Sequence, residues 1–118
     1  MIRVLVTLDG SGCLADLCVT GHASLAAGPY GSNPVCAAVT ALVRSCSDAL
    51  SRRRGVVVRG DAPEPGTLRL RVERIAWRER GWVRGVTAVL TCGVERLRDE
   101  APGEMHVTVE RKGEHDGS

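Results

Sequence analysis

The 118-residue sequence predicts an α+β fold, a mainly antiparallel sheet with two helices packed on one face. Three observations predict it. The elements run strand-strand-helix-strand-strand-helix-strand. The strand segments alternate apolar and polar residues, as half-buried strands do. Each helical segment carries one apolar stripe, so each needs a single covering layer, and a shared sheet supplies it.

Residues 2–7 alternate as a first strand, and Asp9-Gly10-Ser11-Gly12 supplies turn chemistry for a hairpin. The partner strand spans residues 14–20 and ends at Gly21-His22-Ala23. Residues 24–32, with Gly28, Pro29 and Gly31, form a loop of small, flexible residues. Asn33 is a good N-cap, and Pro34 suits the first helical position, where a missing N–H costs nothing. Val35, Val39, Leu42, Val43, Cys46 and Leu50 then recur on one helical face, with Arg52, Arg53 and Arg54 expected in the last turn and Gly55 as the stop. Residues 56–59 read as a third strand and 60–66 as a surface loop. Residues 67–75 set Leu68, Leu70 and Val72 against an outer face of Arg69, Arg71, Glu73 and Arg74. A second helix over roughly 79–100 presents Val86, Val89, Leu90, Val94 and Leu97. Pro102-Gly103 ends it, and Met105, Val107 and Val109 mark a last strand.

Length and composition predict one domain over residues 1–112 with a polar tail at 113–118. The 43% hydrophobic and 25% charged residues and the formal charge of +2 exclude disordered, collagenous and coiled-coil classes. With no Phe, two Trp and one Tyr, the core is aliphatic, and aromatic base-stacking platforms are not expected. No apolar run approaches the roughly 20 residues of a membrane span. The N-terminus lacks the pattern of a signal peptide, so a cytoplasmic address is expected, and there the five cysteines are expected as free thiols.

Cys36 is the first residue to weigh for chemistry. As the third residue of its helix it lies in the opening turn, where backbone N–H groups without intrahelical partners and the dipole favour an anion, hence a thiolate. His22, at the end of the preceding strand, can be folded back to it by the intervening loop, and thiol plus imidazole is the equipment of nucleophilic catalysis. The residues alone leave a second reading open, in which Cys36 packs the core and His22 is a surface hydrogen-bonder. Cys13 and Cys18 lack the second pair of a zinc framework. Cys46 and Cys92 read as packing; His106 points outward, and His115 lies in the tail. No cofactor fingerprint or metal site is expected.

The segments Gly21-His22-Ala23 and Val35-Cys36-Ala37-Ala38-Val39-Thr40-Ala41-Leu42 resemble the signature of the ribosomal-processing cysteine proteases, the Prp family. The resemblance extends through the first hairpin and from Leu90 and Gly93 through Leu97 to Ala101-Pro102. It implies a cysteine endopeptidase with Cys36 as nucleophile and His22 as base, supported by Gly21, Asn33 and Thr40. The implied substrate is the N-terminal extension of large-subunit ribosomal protein twenty-seven. A homodimer, no cofactor, no membrane and no required nucleic-acid contact are implied with it, as is a loop at 24–32 that orders on peptide binding. Thr40 keeps the hydroxyl of the family's usual serine. Asn33 stands where the family commonly has aspartate; it can cap a helix but carries no charge for an imidazolium. The loop is about two residues longer than is usual, and Pro34 is uncommon there. The alternative from another class is a non-catalytic ribosome-associated or RNA-binding module that uses the arginine-rich strand and helix end.

Overall fold

The structure is a computed structural model that describes residues 1–21, 34–62 and 66–112. Among these, five strands form one sheet: β1 (Ile2–Leu8), β2 (Leu14–Thr20), β3 (Val56–Asp61), β4 (Thr67–Ile75) and β5 (Met105–Arg111). Their order is β3-β4-β2-β1-β5. Every neighbouring pair is antiparallel except β1 and β5, which run parallel from Ile2 opposite Met105 to Leu8 opposite Arg111. Helices α1 (Pro34–Ser51) and α2 (Arg80–Glu100) pack against each other and against this sheet. The expected loop at 24–32 and the tail at 113–118 lie outside the described residues.

Local chemistry explains the first hairpin. Asp9 Oδ1 accepts hydrogen bonds from the Ser11 amide at 2.8 Å, the Ser11 hydroxyl at 2.7 Å and the Cys13 amide at 3.0 Å. Burial pushes the Asp9 carboxyl up, but these bonds and the nearby Arg80 charge outweigh it and hold the group below its ordinary value. Gly12 completes the turn at φ 85°, a left-handed backbone that a side chain would strain.

The strand phase decides which face is covered. In β1, Ile2, Val4 and Val6 are buried and Arg3, Leu5 and Thr7 face the other way. The covered face joins Val39, Val43, Cys46 and Leu50 of α1 to Val83, Leu90 and Val94 of α2 in one aliphatic cluster. Burying each Leu or Val there contributes about 1.5–3 kcal/mol. Gly93 lets the helices approach: a Cβ at that position would lie 2.6 Å from Leu42.

Four local expectations are corrected. The buried stripe of α2 is Val83, Thr87, Leu90 and Val94, and Val89 is 63% exposed. Thr87 belongs to the stripe because its hydroxyl is satisfied internally, accepting from the Leu14 amide at 3.0 Å and donating to the Val83 carbonyl at 2.6 Å. α1 ends at Ser51, so Arg52, Arg53 and Arg54 follow the helix. Arg53 instead lies 4.3 Å over the Trp82 ring and 3.9 Å from Glu79, while Trp82 Nε1 donates to the Ala49 carbonyl at 3.0 Å. Gly55 serves close approach rather than a left-handed stop, since a Cβ there would sit 2.8 Å from the Ala76 Cβ. Finally, β3 runs on through Gly60 to Asp61, residues the sequence pattern assigns to a loop.

Candidate active site

The start of α1 carries the residue of interest. Pro34 is its first helical residue, so Cys36 occupies the opening turn as the spacing predicts. Its side chain is half-buried and packs against the edge of the aliphatic cluster. It therefore combines partial access with a place in the first turn of a helix. Thr40, one turn later on nearly the same flank, is also half-buried.

The other four thiols sit in different settings. Cys13 is fully buried, its sulfur 3.6 Å from the Arg80 carbonyl oxygen. Cys46 is buried beneath α1, and burial pushes its thiol up, away from the reactive form. Cys18 is half-buried opposite Leu5 and Arg69 on the sheet face away from the helices. Cys92 is exposed on α2, which corrects its reading as a packing residue.

Gly21 closes β2 at φ 86°, and any Cβ there would collide with the Met1 carbonyl. This glycine thus fixes the chain where it leaves the sheet toward position 22. His22 and Asn33, the expected base and N-cap, lie outside the described residues.

Two ion pairs with carboxylates lie on the arginine-rich outer face of β3 and β4. Arg69 Nη2 is 2.8 Å from Asp16, which with that hydrogen bond raises the guanidinium value further. Arg59 reaches Glu73 at 3.3 Å. Arg53, the middle residue of the arginine run, is engaged on Trp82.

One feature escapes sequence reading: a groove of about 300 Å³ between α1 and the β3–β4 pair. Its only sequence signal is the phase of Gly60, two residues after Val58 and four after Val56.

The comparisons with known proteins show the family and the fold. The family model described as cysteine protease Prp matches residues 1–106. Among curated proteins none matches the chain in sequence. Among solved structures, the ribosomal processing protease Prp from S. aureus, with a covalently linked product peptide, is 18% identical with a TM-score of 0.77, covering 93% of this chain and 100% of that one. The same S. aureus enzyme with a substrate peptide gives 16% identity and a TM-score of 0.73 over 93% and 100%. The Streptococcus mutans protein SMU.848 is 24% identical with a TM-score of 0.74, over 95% and 96%. At these identities the structural likeness establishes the fold.

Proposed function

The chain belongs to the cysteine protease Prp family, and we propose that it removes the N-terminal extension of large-subunit ribosomal protein twenty-seven through Cys36 and His22. The observation that carries the assignment is the half-buried thiol of Cys36 in the opening turn of α1.

In the proposed mechanism His22 takes the thiol proton, and the sulfur attacks the scissile carbonyl carbon. The carbonyl π electrons move onto oxygen, where backbone N–H groups at the start of α1 hold the oxyanion. The intermediate collapses, the C–N bond breaks, and the imidazolium gives its proton to the departing amine. Water, deprotonated by His22, then attacks the thioester, and the sulfur leaves with the carboxylic product released. Gly21 keeps the approach to His22 fixed at the end of β2. Thr40 sits one turn along α1 as a hydroxyl lining the same flank. Asn33 stands where the family commonly has aspartate, so in the proposed mechanism the imidazolium forms without a carboxylate from that position.

Family membership and the peptide-bound S. aureus structures support a peptide substrate, and the homodimer is proposed on the family resemblance alone. The direct test is to incubate the purified protein with the extended precursor of the ribosomal protein from its own organism. A single cut that releases the extension, read by intact mass, is the expected result. A precursor that keeps its full mass contradicts the substrate assignment.

A further inference from the structure

We propose that the groove beside α1 is a specificity pocket that receives one aliphatic side chain of the peptide substrate, about three residues from the bond that is cut, with Gly60 as its floor. The inference rests on the peptidase reading of Cys36 and adds a determinant of which peptides are cut.

The pocket exists because a side chain is missing at one register position. In β3, Val56 is buried and Val58 half-buried on the helix-covered face, and Gly60 is next in that phase. Its cross-strand partner is Leu70, which is buried on the same face. A Cβ built at Gly60 meets nothing within 4 Å, so the space above it is open. Gly60 is not among the glycines with left-handed backbone, so conformation does not require glycine there. A glycine inside a strand often marks a place where a ligand or another backbone comes close.

The lining fits an apolar occupant. Val43, Leu68, Leu70 and Ala62 supply apolar lining, beside the charged residues Arg44, Asp61 and Arg69. At about 300 Å³, the space is at the small end of the range for ligand pockets, suited to one side chain rather than a whole ligand.

The pocket and the nucleophile share one flank of α1. Cys36, Thr40, Val43 and Ser47 recur at i, i+4, i+7 and i+11 on one flank of α1, the flank that borders the groove. Val43 lies seven residues beyond Cys36, about 10 Å along the helix axis at ~1.5 Å per residue. An extended peptide covers that distance in about three residues, at ~3.3–3.6 Å each. The second wall is β3, the outermost strand at that side of the sheet among the described residues, whose outer edge offers main-chain partners to an extended chain. The occupant this arrangement fits is therefore the substrate's own extended segment.

The test scans a leucine against an aspartate through quenched-fluorescent peptides, from four residues before the cut to four after it. The wild-type protein is expected to favour leucine at one position about three residues from the cut, by roughly tenfold in kcat/KM and mainly through KM. Gly60→Ile fills the floor with a residue that suits a strand. It is expected to keep its thermal midpoint and to reduce the leucine preference below about twofold, mainly by raising KM for the leucine peptide. Ala62→Trp, at an exposed position on the opposite wall, gives the same readout if the first variant folds poorly. Cleavage of all peptides without positional preference, or a folded Gly60→Ile protein that keeps the preference, overturns the pocket while the peptidase stands. Failure of the wild-type protein to cut any peptide overturns the peptidase reading, and the pocket with it.

Discussion

Cys36→Ala is expected to lower cleavage of the ribosomal precursor by at least about 10³-fold, because the lost sulfur is the attacking atom and not one contact among many. The same change removes a single sulfur from a half-buried position in the first turn of a helix. Alanine is the best helix former, so the cost to the fold is small. Cleavage and stability are thus expected to separate. Product formation falls to background, and the unfolding midpoint in urea moves by less than about 1 kcal/mol of equivalent stability. A variant that still cuts at a tenth of the wild-type rate removes Cys36 from the nucleophile's role.

Gly21→Val is expected to give the other large effect, and here stability and activity fall together. Gly21 holds φ 86°, a conformation that costs an L-residue roughly 1–2 kcal/mol. In addition, its Cβ would collide with the Met1 carbonyl, which is backbone and cannot rotate aside. Relieving that overlap costs a further ~1–3 kcal/mol, so a total loss of about 2–5 kcal/mol is expected in urea unfolding. The chain that must yield leads straight to His22, so any folded fraction is expected to show a lower kcat with its KM less affected. Gly10→Ala is the matched control, because a Cβ there meets nothing within 4 Å and its φ is not left-handed. Equal stability of the two variants contradicts the role given to Gly21.

The parts of the fold that were legible in the sequence are those set by local chemistry. The first hairpin follows from Asp9, Ser11 and Gly12, and each makes the turn contacts its type allows. α1 follows from Pro34 and from the stripe Val39, Val43, Cys46 and Leu50. The phase of α2 was misread because Thr87 is polar in sequence yet apolar in effect, its hydroxyl consumed by Leu14 and Val83. The parallel pairing of β1 with β5 is a contact between the two ends of the sequence, and no turn residue announces it. The Arg53 stack on Trp82 likewise joins distant segments, so the arginine run looked like a helix end.

For the site, the sequence marked Cys36 through its helix position, His22 through its place at a strand end and Asn33 through its capping chemistry, and α1 does begin at Pro34. The resemblance added Gly21 and Thr40. The pocket over Gly60 had no local signature, because a missing side chain matters only once its register opposite Leu70 is known.

The central claim is that Cys36 is chemically distinct from the other thiols because of where α1 begins and what His22 brings to it. Competitive alkylation of the folded protein with iodoacetamide, read cysteine by cysteine by mass spectrometry, tests it most directly. Exposure alone ranks Cys92 first, since it is exposed and Cys36 is half-buried. The account predicts the reverse, with Cys36 modified at least about tenfold faster than Cys92 and slowed to or below the Cys92 rate by His22→Ala. Rates that follow exposure, with Cys92 first and Cys36 indifferent to His22→Ala, would contradict it.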